Sequence, residues 1–138
     1  MLKIDGELAM LVMPAAYRTD LARLVADSSA QIMVDEGLTD RDALQRFINH
    51  RACTAANVRI SKCGGLVGAY ARCREVLDAG LMLQVGCQVG ESSLLSAAHL
   101  TLLQALAPLT PGVRYAEGCF GRHLLREDPA SPLVQFGY

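Results

Sequence analysis

The feature that most constrains the fold is an alternation of short, continuous apolar runs with longer segments of helical periodicity. The apolar runs are residues 8–13, 31–34, 57–60, 81–85 and 113–115. Runs of this length are typical of strands buried on both faces. The segments between them, residues 19–26, 40–48, 66–77 and 92–106, place apolar residues three and four apart, as amphipathic helices do. Four strand–helix units followed by a fifth strand predict an α/β fold with a parallel sheet.

Capping residues support these boundaries. Thr39 precedes an acidic first turn and is a candidate N-cap, and Ser92 or Ser93 can cap the last helix. Gly80 follows the third helical segment, where a glycine stop is common, and Pro108 closes the fourth.

A repeating βα chain can form an open doubly wound sheet or part of a (β/α)8 barrel. No Gly-x-Gly-x-x-Gly motif follows the first apolar run, so the fingerprint of a dinucleotide-binding fold is missing. Four βα units and a final strand amount to about half a barrel, because a complete one needs ~250 residues. The chain has 138 residues. We therefore predict that residues 1–138 form a single domain, a partial (β/α) barrel.

Composition excludes several function classes. The net charge is −1, from 13 basic and 14 acidic residues, so a nucleic-acid partner is disfavoured. No apolar run reaches the ~18 residues that span a bilayer, and the N-terminus lacks the features of a signal peptide, so we expect a cytoplasmic protein without membrane contact. The five cysteines form no Cys-x-x-Cys pair, which argues against structural zinc and favours buried thiols.

Polar residues collect at the predicted carboxyl ends of the strands, where βα folds place their chemistry. They are Asp35, Glu36, Lys62, Gln88, Glu91 and Glu117. Each has a purely structural alternative. Asp35 and Glu36 could begin a loop, Lys62 could be a solvated side chain, and Glu91 could be a first-turn acid favoured by the helix dipole. The pair Gly64–Gly65 could hold an anion or simply allow a tight turn.

Four of these strand-end segments resemble the mandelate racemase/muconate lactonizing enzyme family of the enolase superfamily. Residues 33–36, Met-Val-Asp-Glu, are similar to its fifth-strand motif. Residues 57–65, Asn-Val-Arg-Ile-Ser-Lys-Cys-Gly-Gly, are similar to its sixth-strand motif, the most specific match. Residues 86–92 and 114–118 are similar to the seventh and eighth strands. The resemblance covers residues 8–125 and implies the C-terminal half of that barrel.

The resemblance also implies a chemistry. Members of this family use a divalent cation, Mg²⁺, to assist removal of the proton α to a carboxylate, which gives racemases, epimerases, cycloisomerases and dehydratases. By residue, it implies Asp35 as a metal ligand and Lys62 as the acid/base catalyst. It further implies that Gln88, Glu91 and Glu117 contact a small carboxylate substrate or orient the other residues.

The chain departs from the family pattern in its first third. The family's metal has acidic ligands on strands three, four and five, but Val12 stands where the strand-four glutamate is expected. Counterparts of strand three, of the Lys-x-Lys base motif and of the N-terminal capping domain are missing. Asp5 and Glu7, before the first predicted strand, are the available substitutes.

Three hypotheses remain open at this point. The chain could be half of an enzyme whose other ligands come from a partner chain. It could instead be an inactive half-barrel with a binding or structural role, which associates with itself to cover its open sheet edges. It could also be one piece of a longer protein.

Overall fold

A computed structural model of the chain describes residues 2–4, 15–27, 31–88, 91–110 and 113–115. The predicted strand over residues 8–13, with Val12, lies outside the described residues, as does Glu117. So does the C-terminal segment from residue 116 onward.

The described residues form a parallel α/β fold. Its elements, in chain order, are β1 Leu2–Ile4, α1 Ala15–Asp27, β2 Ile32–Val34, α2 Arg41–Asn49, β3 Ala55–Arg59, a 3-10 turn Ile60–Lys62, α3 Leu66–Asp78, β4 Met82–Gly86, α4 Ser93–Leu106 and β5 Arg114–Tyr115. The strands form one five-stranded sheet in the order β1-β2-β3-β4-β5, and every neighbouring pair is parallel. The predicted fold class is confirmed at this level.

The first strand differs from the expectation. A strand already forms at Leu2–Ile4 and pairs with β2, with Ile4 opposite Val34. Asp5 and Glu7 therefore follow a strand in the chain instead of preceding the first one. The sequence analysis missed β1 because its three residues include Lys3, which interrupts the apolar pattern.

The N-cap of α2 is also corrected. Asp40, not Thr39, occupies this position, and its Oδ1 accepts a hydrogen bond from the Ala43 backbone N–H at 2.7 Å. Thr39 instead donates from its hydroxyl to Asp40 Oδ2 at 3.2 Å. Both residue types can cap a helix, so their order in the sequence did not decide between them.

The hydrophobic core lies on one face of the sheet. Its strand residues are Val34, Ala56, Val58, Leu83 and Val85, and its helix residues include Leu44, Ala69, Cys73, Val76, Leu102 and Leu106. Helices α2, α3 and α4 therefore pack against the same face. Because strand residues alternate between faces, Asn57, Arg59 and Gln84 point to the opposite face. We call this opposite side of the sheet the polar face.

Strand order and helix placement together separate this sheet from a doubly wound one. A doubly wound sheet reverses its strand order at a switch point and carries helices on both faces. Here the described strands follow chain order, and α2 to α4 share one face. A (β/α) barrel also keeps its strands in chain order and its helices on one face of the sheet.

The turn between β3 and α3 depends on two glycines. Gly64 and Gly65 have φ values of 72° and 107°, which L-residues with a side chain rarely adopt. These values favour the tight-turn interpretation of the pair, with Gly65 as the N-cap of α3. The same conformation explains Gly80, with φ 72°, just after the end of α3. No helix within the described ranges is long and apolar enough to span a membrane.

Candidate functional site

Five polar side chains meet at the carboxyl ends of three adjacent strands. Asp35 and Glu36 follow β2, Arg59 is the last residue of β3, Lys62 lies in the 3-10 turn after it, and Gln88 follows β4. Hydrogen bonds and ion pairs connect all five. We call this group the strand-end cluster. It lies where parallel α/β folds place their active sites.

Arg59 is the centre of the cluster. Its side chain is 9% exposed and its guanidinium contacts three oxygen acceptors. Nη2 donates to Asp35 Oδ1 and lies 2.5 Å from Glu36 Oε1, while Nη1 donates to Gln88 Oε1 at 2.8 Å. A planar guanidinium suits this task because its N–H groups form a fixed fork that can hold several acceptors at once.

Asp35 is buried on the polar face, with an exposure of 1%. Besides Arg59, its Oδ1 accepts a hydrogen bond from Asn57 Nδ2 at 2.9 Å. Asn57 is held in turn by Gln84, whose Nε2 lies 3.4 Å from Asn57 Oδ1. Gly86 leaves the space that the Asn57 side chain occupies, because a Cβ at Gly86 would lie 2.6 Å from Asn57 Nδ2. The strand sequence thus fixes the orientation of the Asp35 carboxylate.

Lys62 lies in the 3-10 turn after β3 and contacts Glu36 and the main chain of Asp35. Its Nζ donates to Glu36 Oε2 at 2.6 Å and to the Asp35 main-chain carbonyl at 3.3 Å. The hydrogen bond from Lys62 is the largest influence on the Glu36 carboxyl and lowers its pKa below the ordinary 4.5. Partial burial opposes that shift, and the charge of Arg59 reinforces it. Glu36 is therefore held as a carboxylate between two cations.

The buried carboxylate of Glu91 holds the start of the loop after β4. The Gln88 backbone N–H donates to Glu91 Oε1 at 2.8 Å, and Glu91 Oε2 lies 3.3 Å from Nδ1 of the fully buried His99 in α4. The same nitrogen is 2.9 Å from the Leu95 carbonyl oxygen. Glu91 is 5% exposed, so the geometry favours a role in positioning Gln88 over direct contact with a ligand. Gln88 Nε2 also reaches Ser61 Oγ at 3.3 Å.

The strand-end cluster contains most of the polar residues that were predicted at the carboxyl ends of the strands. Asp35, Lys62 and Gln88 are within one hydrogen-bonded network, and Glu91 joins it through the backbone of Gln88. Sequence reasoning missed Arg59 and Asn57 as site residues because their run was interpreted as a strand buried against apolar neighbours. The signal that could have found them is the alternation Ala55, Asn57, Arg59, which places two polar side chains on one face of β3.

With Arg59 and Asn57 in place, Asp35 Oδ1 does not fit a divalent cation. Asp35 Oδ1 receives N–H donors from Arg59 and Asn57, so its lone pairs face hydrogen atoms that a metal ion would have to displace. The guanidinium would also repel a second cation placed beside it. Among the residues that the structure describes, no group of three or more His, Cys, Asp or Glu side chains could hold a metal.

Comparison with known proteins places the chain in a family. Residues 12–136 match the family described as enolase C-terminal domain-like. The N-succinyl-L-Arg/Lys racemase of Bacillus cereus is 32% identical over 78 residues, which is 56% of this chain. The solved structure of the Bacillus cereus racemase superposes with a TM-score of 0.65 over 83% of this chain, at 25% identity.

Two other solved structures have the same fold. A mandelate racemase/muconate lactonizing family protein from Azoarcus sp. EbN1 gives a TM-score of 0.66 over 81% of this chain at 27% identity. A dipeptide epimerase from Cytophaga hutchinsonii, complexed with Mg and dipeptide D-Ala-L-Val, gives 0.64 over 83% at 24% identity.

The chain thus has a parallel α/β fold with a polar cluster at its strand ends, and the proteins that it matches include a racemase and a dipeptide epimerase. The chain belongs to the enolase C-terminal domain-like family, and its predicted resemblance to mandelate racemase/muconate lactonizing enzymes is confirmed. It spans 21% of the length of the curated Bacillus cereus racemase and 29–30% of the three solved chains.

Proposed function

We propose that this chain forms the C-terminal part of a barrel that exchanges the proton α to a carboxylate in a small acid, as a racemase or epimerase does. The observation that carries the proposal is the strand-end cluster, in which Lys62 and Arg59 provide two cations beside a buried acid at the carboxyl edge of the sheet. The names of the matched relatives, a racemase of N-succinylated amino acids and a dipeptide epimerase, support a small carboxylate as substrate.

In this proposal the rest of the barrel is supplied by further chain. Five strands in chain order make five of the eight strands that a closed (β/α) barrel needs. A longer polypeptide, a partner chain or a second copy could supply the others. The single domain proposed for residues 1–138 is then one continuous section of barrel wall.

Each member of the cluster has a proposed role. Lys62 is the acid/base residue, since its Nζ lies at the carboxyl edge of the sheet, 2.6 Å from Glu36 Oε2. Arg59 and Gln88 orient the substrate carboxylate, and Asp35 orients Arg59. Glu91 positions Gln88 by accepting a hydrogen bond from its backbone N–H. Glu117, outside the described residues, stays a predicted substrate-binding residue. Mg²⁺ would supply Lewis-acid assistance in the family's chemistry, but Asp35 Oδ1 does not fit it while Arg59 and Asn57 donate to that oxygen.

The direct test is exchange of the α-proton for deuterium in D2O, followed by proton NMR on N-succinyl amino acids and dipeptides. We expect slow exchange by the full chain and none by Lys62→Met. Lys62→Arg keeps the positive charge near Glu36 but cannot act as a base at neutral pH, so it should retain the fold and lose exchange. Arg74→Met, which removes an exposed arginine of α3, is the matched surface control. Exchange by Lys62→Arg at the parental rate would refute the role of Lys62.

The second candidate is a carboxylate-binding or structural protein without catalysis, in which copies of the chain associate through the sheet edges. The ion pair between Arg59 and Asp35 favours this second candidate, because an Asp35 carboxylate that is engaged by Arg59 has no catalytic task. In the described sheet, β1 and β5 are the edge strands, and edge strands readily pair with another chain. Light scattering at micromolar concentration distinguishes the candidates when read with the exchange assay. A stable oligomer that binds a small acid without exchanging its proton would select the second candidate.

A further inference from the structure

Three oxygen atoms of the strand-end cluster converge on one guanidinium. They are Asp35 Oδ1, Glu36 Oε1 and Gln88 Oε1, and each contacts Nη1 or Nη2 of Arg59. We propose that Arg59 is the resident cation of this site and occupies the position that a divalent metal ion would otherwise take between these three oxygens. The site would then bind Mg²⁺ only when Arg59 is removed.

The oxygen set has the chemistry of a hard-metal site. Two carboxylates and one amide carbonyl are the ligand types that Mg²⁺ and Ca²⁺ take from proteins, with water completing the shell. The two terminal nitrogens of Arg59 hold these three oxygens close together. A guanidinium and a dication cannot share these oxygens, because the N–H groups use the lone pairs that the metal needs and the two charges repel each other.

The burial of Asp35 explains why a cation must stand here. A carboxylate that is 1% exposed is strongly destabilising unless a positive charge and hydrogen-bond donors compensate it. Asn57 contributes a neutral donor only, and Lys62 reaches the main-chain carbonyl of Asp35 and the carboxylate of Glu36. Arg59, which reaches the Asp35 carboxylate itself, therefore supplies a charge that a metal ion could replace.

Replacing Arg59 with a neutral side chain of similar length tests this inference through ion binding. The melting temperature Tm of the parent chain should not change with added MgCl2 once NaCl has matched the ionic strength. Arg59→Met should lose on the order of 10 °C in the absence of metal, because it removes the cation that contacts the buried Asp35 carboxylate. MgCl2 should then raise its Tm by roughly 5 °C when Mg²⁺ reaches about ten times its Kd.

Three further variants keep the test decisive. Arg59→Lys keeps the charge and should show no response to Mg²⁺. Arg72→Met removes a similarly buried arginine that pairs with Glu75 on α3, and should not create a response. The double variant Asp35→Asn/Arg59→Met removes both charges and should fold without responding to Mg²⁺.

Three results would overturn the inference. One is a Tm of the parent chain that rises with Mg²⁺ as much as that of Arg59→Met. The second is a folded Arg59→Met chain whose Tm does not change with Mg²⁺. The third is an Arg59→Met chain that stays unfolded with and without Mg²⁺ while the double variant folds. The inference concerns the same cluster as the proposed function but does not depend on it. The readout is ion binding by each variant, so loss of proton exchange leaves it unaffected.

Discussion

Gly86 and Asn57 provide a test of how the sheet orients its buried acid. Gly86 has no side chain, and a Cβ placed there would lie 2.6 Å from Asn57 Nδ2 and 2.8 Å from Asn57 Cγ. Both distances are far below van der Waals contact, so Gly86→Ala must either strain the sheet or push Asn57 away from Asp35. Overpacking costs about 1–3 kcal/mol, and loss of a hydrogen bond to a charged group costs about 1.5–3 kcal/mol. Because these costs are alternatives, we expect a loss of about 2–3 kcal/mol in the free energy of unfolding.

A double-mutant cycle separates this contact from a general effect of alanine in β4. Asn57→Ala alone should cost about 1.5–3 kcal/mol, because it removes a donor from a buried carboxylate. In that background Gly86→Ala has no amide to displace, and it should cost less than about 0.5 kcal/mol or even stabilise the chain. Urea denaturation at constant m-value measures all four chains. If the two substitutions were additive, Gly86 would not be reserving space for Asn57, and our account of the Asp35 orientation would be wrong.

Two further predictions concern an N-cap and a titrating acid. Asp40→Ala should cost about 1 kcal/mol in thermal unfolding because it removes the acceptor for the Ala43 N–H, whereas Asp40→Asn should recover most of this loss. Glu36 has a lowered pKa in the folded chain, so its contribution to stability is present above pH 4.5 and is lost as the pH falls through the folded pKa. Lys62→Met removes the main cause of that shift, so unfolding curves below pH 4.5 should become less steeply pH-dependent than those of Lys62→Arg. Equal slopes for the two variants would contradict this assignment.

The sequence was sufficient for α2, α3 and α4, because helical periodicity is a local property, but it did not predict β1 and placed only part of α1. The predicted helix over residues 66–77 corresponds to Leu66–Asp78, and the segment 92–106 to Ser93–Leu106. The third strand was predicted at 57–60 but runs over Ala55–Arg59. The shift arises because Ala55 and Ala56 are small and carry little strand preference, yet cross-strand pairing with Met82 and Leu83 fixes them in the sheet.

The ion pairs of the site required the structure, because they depend on distances across strands. Asp35 and Lys62 are 27 residues apart in the chain and Arg59 and Gln88 are 29 apart, and nothing in the sequence pairs them. The strand-end rule brought the right segments to one edge of the sheet. It could not show that Arg59, the last residue of a buried strand, would contact the carboxylate to which the family resemblance assigns a metal.

The charge balance of the cluster determines which experiments can separate chemistry from folding. Asp35 and Glu36 contribute two negative charges, and Arg59 and Lys62 contribute two positive charges, so the group is neutral as a whole. Removal of any one of these four charged side chains unbalances the charge of a partly buried group, which destabilises the fold whatever that residue does in catalysis. A single substitution that abolishes activity therefore reports on both roles. Paired substitutions that keep the sum at zero, such as Asp35→Asn with Arg59→Met, remove the charge imbalance. Comparing the pair with its two single variants therefore separates the imbalance from the loss of the other contacts of Arg59.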